Sequence, residues 1–178
     1  MIVIKELDSK FITQLYDLQE EVFKEGYNED LLRHNSLEDF NRIFNYKHTI
    51  IGIFYNNQLV SFGILYISDK NEILSSNELK ILSRLCGEKK EILYVGVVKL
   101  IIVKKQFRGK GYQRQILACF EKFALSNNIN LLIASVSPLN IYSLNNFQMM
   151  GYVKYKMKKL YGGHKRIIFY KFINNVIN

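Results

Sequence analysis

The stretch from Leu100 to Arg114 constrains this chain more than any other. Leu100-Ile101-Ile102-Val103 is an unbroken apolar run, Lys104-Lys105-Gln106-Phe107-Arg108 ends it, and Gly109-Lys110-Gly111 leads into helical periodicity. The order predicts a strand, a tight glycine turn and a helix opening. A helix opening presents backbone N–H groups without intrahelical partners and carries about half a positive charge from the aligned peptide dipoles. It can therefore hold an anion without a dedicated side chain, and phosphate is the expected guest. Glycine suits the turn, because a missing Cβ lets a pyrophosphate approach the backbone and lets φ turn positive at little cost.

Three phosphate motifs compete for this stretch. A Walker loop requires G-x-x-x-x-G-K-[ST], but with Gly109-Lys110 as its G-K, Lys104 and Gly111 stand at its first glycine and final hydroxyl positions. A dinucleotide fingerprint requires a third glycine and a carboxylate about twenty residues on. Arg114 replaces that glycine, and Leu131-Leu132-Ile133-Ala134-Ser135 holds no acid. What remains is Q-x-x-G-x-G, read by Gln106, Gly109 and Gly111, and downstream Asn140-Ile141-Tyr142-Ser143-Leu144-Asn145-Asn146-Phe147-Gln148-Met149-Met150-Gly151-Tyr152 reads N-x-x-[AS]-x-x-x-[YF]-x-x-x-G-[FY]. The pair, in this order, resembles the acyl-CoA signature of the GNAT superfamily of N-acetyltransferases, over about residues 92–173.

Length and composition agree with one domain over residues 1–178. At 178 residues and 48% apolar, with one proline and no apolar run long enough for a membrane span, the chain suits a single core. The short, charge-interrupted start is unlike a signal peptide, so a soluble cytoplasmic protein with no membrane partner is expected. Cys86 and Cys119 sit singly in apolar helical patterns, as reduced core thiols would, and the three histidines are scattered without metal-ligand spacing. No metal is expected.

Charge is divided unevenly. Residues 1–90 hold 11 Lys and Arg against 14 Asp and Glu, a net −3, whereas residues 91–178 hold 14 against 2, a net +12. The basic half contains the phosphate turn and asks for a polyanion. The phosphates of CoA account for Lys104, Lys105, Arg108, Lys110 and Arg114. Lys154, Lys156, Lys158 and Lys159 read instead as a solvated edge strand. A nucleic-acid partner is the weaker reading, because no recognition-module pattern accompanies the charge.

Taken in order, the periodicities predict β-α-α-β-β-α-β-α-β-α-β-β. The first helix runs from about Lys10 to Lys24, and a second starts at Asn35-Ser36-Leu37-Glu38, an N-cap with an acid three residues on, and runs to about Asn45. Thr49–Tyr55 and Leu59–Ile67 form a hairpin about Asn56-Asn57. A third helix begins at the capping-box pattern Ser75-Ser76-Asn77-Glu78 and stops at Gly87, an insertion where the resembled fold often has a short turn. Glu91–Val103 is a long strand with a bulge at Gly96, Leu131–Val136 a doubly covered strand, and Gly162-Gly163 a two-residue hairpin turn between Tyr152–Tyr161 and His164–Ile173. The resemblance implies an α/β (α+β) fold, a mixed, mostly antiparallel sheet with helices on both faces, whose strands four and five splay apart to admit the pantetheine arm.

Function follows as an expectation from the likeness. It implies transfer of acetyl from acetyl-CoA, the co-substrate, to a primary amine of a small-molecule or peptide acceptor by direct attack. The backbone of Ile101, Ile102 and Val103 would flank the pantetheine. Gln106, Arg108, Gly109, Lys110, Gly111, Tyr112, Gln113 and Arg114 would hold the phosphates, with Asn140, Ser143 and Phe147 on the facing helix. The family often protonates the departing thiolate with a tyrosine where this chain has Phe147. Tyr142 lies about 140° round the helix from that position, so Ser143, one turn before Phe147, is the candidate acid. Its alternative role is a small residue that lets the helix approach CoA. Glu91 is the only carboxylate near strand four and the candidate base, while Glu20, Glu21, Glu25, Glu29 and Asp30 lie on the acceptor side, and no single one is favoured. A CoA-binding or regulatory module with little catalysis is the alternative function, and a homodimer is left open.

Overall fold

Asn56 and Asn57 take φ of 48° and 66°, the left-handed geometry a tight hairpin needs, and join β2 (His48–Tyr55) to β3 (Gln58–Ser68). A computed structural model describes residues 1–68, 73–75, 78–81 and 94–173. Its other strands are β1 (Ile2–Glu6), β4 (Val95–Val103), β5 (Leu131–Val136), β6 (Val153–Leu160) and β7 (His164–Phe172). One seven-stranded sheet results, in the order β1-β2-β3-β4-β5-β7-β6, antiparallel throughout except for the parallel pair β4–β5. The α-helices whose full bounds lie within the described residues are α1 (Ile12–Lys24), α2 (Leu37–Ile43), α3 (Tyr112–Ser126) and α4 (Ile141–Met149).

Helices cover both faces. Leu15, Leu18 and Val22 of α1 and Phe40 and Ile43 of α2 pack with Ile50, Phe62, Ile64, Leu100 and Ile102. On the other face Ile116, Leu117, Phe120 and Ala124 of α3 join Ile51, Ile53, Val98 and Leu132, and Phe147 of α4 completes that cluster with Tyr152 and Phe169. These are the i, i+3, i+4 stripes of amphipathic helices laid on the alternating faces of strands.

Strands β4 and β5 separate as expected. Only Val95–Val98 pair with Leu131–Ala134, so the ladder to β5 ends before Ile101, Ile102 and Val103. The bulge, however, is not at Gly96. Opposite Ile64 and Leu65 of β3 stand Leu100 and Val98, so Lys99 is the extra residue, where the ladder to β5 ends. Gly96 is paired regularly, and glycine is needed there because a Cβ would collide with Leu132 of the neighbouring strand.

Other departures are local. α1 begins at Ile12 after a 3-10 turn, Ser9–Phe11, capped by Asp8. Ser36, not Asn35, caps α2, with Asp39 completing the capping box and the helix ending at Ile43. Asn35 is buried and spent elsewhere: Gln19 Nε2 donates to its carbonyl at 2.7 Å, and its own N–H donates to Gln19 Oε1 at 3.0 Å. The β6–β7 connection contains three residues, Tyr161, Gly162 and Gly163, all at positive φ. Leu160 pairs with His164, which leaves Tyr161 in the turn.

The described part of the insertion after β3, residues 73–75 and 78–81, docks on the far half of the sheet. Its capping box is present, with Ser75 N–H donating to Glu78 Oε2 at 2.6 Å and Glu78 N–H to Ser75 Oγ at 3.3 Å. Residues 78–81 are helical, and the expected continuation to Gly87, with Cys86, lies outside the described residues. Ile73 and Leu74 pack with Val95, Val97, Leu131, Ile133 and Ile168. Glu78 forms ion pairs with Lys156 and Lys158 of the edge strand β6. Burial raises the Glu78 pKa, but hydrogen bonds from Lys156, the Ser75 amide and Lys158 outweigh it and hold the carboxyl at about 2. Because the folded pKa lies below the unfolded one, the stabilisation is full above the ordinary carboxylate range and is lost as pH falls through it. Glu78→Gln should therefore cost about 1 to 2 kcal/mol at pH 7, after allowance for solvent screening around the lysines. Melting curves of both proteins should converge between about pH 5 and pH 2.

Candidate active site

Gly111 caps α3 with φ 78° and no side-chain hydrogen bond, so the first-turn amides, including those of Tyr112, Gln113 and Arg114, have no intrahelical acceptor. A Cβ on Gly111 would stand 3.3 Å from the Arg114 guanidinium. Gly109 repeats the left-handed φ of 78°. Between this turn, the free side of β4 and α4 lies a cavity of about 630 Å³, lined among others by Ile101, Ile102, Val103, Arg108, Gly109 and Gly111.

The basic residues divide. Lys104 pairs with Glu21 of α1 at 2.8 Å. Arg108 donates to the Val103 carbonyl at 3.2 Å, stacks 4.6 Å from the Tyr27 ring and approaches Glu25 at 3.9 Å. Lys110 lies over Phe107 at 4.8 Å. Neither Lys110 nor Gln106, exposed on the turn Lys105–Phe107, lines the cavity. Tyr112 contributes only backbone to the turn, since its ring is buried and stacked with Phe107. Arg114 lines the cavity and reaches Met149 Sδ at 3.8 Å.

A second cavity, of about 280 Å³, lies on the other side of the splay. The two share Leu31, Leu32, Ile101, Gln113, Asn140 and Ser143 as walls. At that junction Asn140 Oδ1 caps α4 by accepting from the Ser143 N–H at 3.1 Å. Asn146 Nδ2 donates to Gln113 Oε1 at 3.0 Å, and Gln113 Nε2 donates to Ser143 Oγ at 2.9 Å. The serine oxygen is thus occupied as an acceptor, and its own proton is left to donate. Phe147 lines only the smaller cavity and stacks on Phe169 at 5.6 Å.

The expected bases are committed elsewhere. Glu20 pairs with His34 at 2.5 Å, and Glu21 and Glu25 face Lys104 and Arg108. Asp30 pairs with His164 at 2.8 Å, with Glu29 4.0 Å from the same ring. Glu91 lies outside the described residues. No Asp or Glu lines either cavity among the described residues.

Several cavity residues escaped sequence reasoning, namely Arg33, Gln113 as a bridge, Ser135, Tyr161 and Arg166. Arg166 carried a usable signal, since at period two it shares the buried face of β7 with Ile168. A charge on such a face is rarely idle. Arg33 and Tyr161 sit in connections and carry no periodic signal.

The sequence matches the profile of the Acetyltransferase (GNAT) family over residues 12–152. No curated protein matches it by sequence. Solved structures share the fold at low identity. Arabidopsis thaliana NAA60 in complex with acetyl-CoA superposes with TM-score 0.77 at 16% identity, over 98% of this chain and all of that one. The ribosomal-protein-S18-alanine N-acetyltransferase of Escherichia coli gives 0.69 at 12%, over 99% and 96%. Drosophila melanogaster polyamine N-acetyltransferase, which forms N-acetylagmatine, gives 0.71 at 11%, over 97% and 100%.

Proposed function

Because the chain belongs to the GNAT acetyltransferase family, we propose that it transfers acetyl from acetyl-CoA to a primary amine of a small molecule or peptide by direct attack. The observation that carries this reading is the meeting of two cavities at Ser143 and Gln113, one lined by the glycine turn at Gly109 and Gly111 and the other by Arg33, Tyr161 and Arg166. The turn fits a pyrophosphate, since its amides are uncapped and a Cβ at Gly111 would press on Arg114, the cation in position to meet a phosphate. Gly109, Gly111, Gln113 and Arg114 would hold the phosphates, and the free backbone of Ile101–Val103 the pantetheine arm.

When bound, acetyl-CoA supplies the activated carbonyl and a thiolate leaving group. The chain's own part is to bring the amine and that carbonyl together and exclude water, which converts a bimolecular encounter into a positioned one. Ser143 would offer its hydroxyl proton at the junction, and the Asn146–Gln113 relay fixes its oxygen as an acceptor. Phe147 keeps the smaller cavity apolar on one side. The lack of a carboxylate at either cavity among the described residues also suits a CoA-binding module without turnover. A screen of amines with acetyl-CoA, following free CoA thiol, separates the two.

Acetyl-CoA should raise the melting temperature. A ligand that binds only the folded state adds about 2.7 kcal/mol at a hundredfold excess over its dissociation constant. Scanning calorimetry checks this, and an unmoved transition at millimolar acetyl-CoA would overturn the proposed co-substrate.

A further inference from the structure

The smaller cavity is lined by two arginines, Arg33 and Arg166, neither of which forms an ion pair with a carboxylate among the described residues. Arg166 is 3% exposed. It donates to the carbonyls of Glu29 at 2.7 Å, Asp30 at 3.1 Å and Lys165 at 3.0 Å. Asp30, whose carbonyl it holds, turns its carboxylate to His164. Arg33 comes from the connection after α1, and its guanidinium lies 5.2 Å from the Tyr161 ring, with that of Arg166 5.9 Å from the same ring. Tyr161 is fixed by a hydrogen bond of 3.0 Å with Ser135 Oγ and is held at φ 52°, a conformation that costs a non-glycine residue and gathers at binding sites. All four residues line the cavity.

Carbonyls supply dipoles but no negative charge, and a buried cation without a counter-ion is costly. Asp30 acts on Arg166 only through space, without an ion pair, so an anion received by the cavity would complete the neutralisation of this guanidinium. We infer that the acceptor is a small primary amine that carries its own anionic group, a carboxylate or a phosphate, bound by Arg33 and Arg166. The inference rests on the acetyl-transfer reading above and names its acceptor class. A guanidinium offers planar paired donors that match either anion. The same cations disfavour a polyamine, whose second ammonium would meet like charge. They also favour the neutral form of an amine bound beside them, since nearby positive charge lowers an ammonium pKa. A carboxylate base at the junction is then unnecessary.

The test measures CoA release, and calorimetric binding to the CoA-saturated full chain, for matched amines. The probes are the twenty amino acids against their α-amides, O-phosphoethanolamine against ethanolamine, and putrescine. The anionic members should exceed their neutral partners at least about tenfold in kcat/KM or affinity, as a charge-assisted hydrogen bond is worth. Which anionic set responds tells carboxylate from phosphate. Arg33→Gln, at an exposed position, should shrink that ratio about tenfold through KM, and Arg33→Lys should restore part of it. Equal or better use of amides or putrescine, no binding of any anionic amine, or an unchanged ratio in Arg33→Gln overturns the inference. A protein that responds to acetyl-CoA in melting yet prefers putrescine fails this inference alone, whereas one that does not respond fails the acetyltransferase reading.

Discussion

Replacing Gly111 with valine should abolish the rise in melting temperature that acetyl-CoA produces. Two effects act together at this position. A valine at φ 78° lies in a region that L residues avoid, at a cost of about 1–2 kcal/mol, and branching at Cβ worsens it. The added carbon also stands 3.3 Å from the Arg114 guanidinium, so it fills the space over the uncapped amides and displaces the cation beside them. Two measurements keep the effects apart. The melting temperature without ligand reports the backbone strain, and its increment at saturating acetyl-CoA reports the cradle. A folded variant with the wild-type increment would move the phosphate site away from this turn.

Ser143→Ala should lower kcat more than tenfold with little change in acetyl-CoA affinity. General acid assistance is typically worth about 10² to 10⁴ in rate, and an interaction made mainly in the transition state appears in kcat rather than in binding. The alanine also leaves Gln113 Nε2 without its acceptor at 2.9 Å, so part of the loss could reflect a loosened contact between α3 and α4. Phe147→Tyr separates these contributions. It adds a phenol to a residue that lines the smaller cavity without rebuilding the Gln113 bridge. Partial recovery in the double mutant identifies proton donation as the lost function. An unchanged rate in Ser143→Ala, with chemistry shown to limit turnover, would reduce Ser143 to a packing residue.

What could be read from the sequence was what local physics decides. The run Leu100–Val103 with Gly109 and Gly111 announced strand, turn and helix because periodicity and backbone freedom are properties of neighbouring residues. The hairpin at Asn56-Asn57 was legible for the same reason. The bulge was misplaced because glycine at position 96 answers to Leu132 on another strand, while Lys99 is set by the register of β3 against β4. The acids near α1 looked like candidate bases because no local rule shows that Lys104, Arg108, His34 and His164 come to meet them. Arg33 and Arg166 lie 133 residues apart and share a tyrosine only once the sheet is assembled.

The parting of β4 from β5 divides the sheet into two plates, β1 to β4 and β5 with β7 and β6. Two of the ties between them flank the parting. One tie is the ladder of Val95–Val98 with Leu131–Ala134. Another is Arg166, which reaches from β7 to the carbonyls of Glu29 and Asp30 after α1. A slot fastened in this way is a gauge, with a width set by its frame and not by its guest. If acetyl-CoA binds as proposed, its narrow pantetheine arm would thread the slot and its nucleotide would stay at the helix opening. Selection for a narrow acyl-bearing arm would then be a property of the frame, exercised before any side chain is consulted.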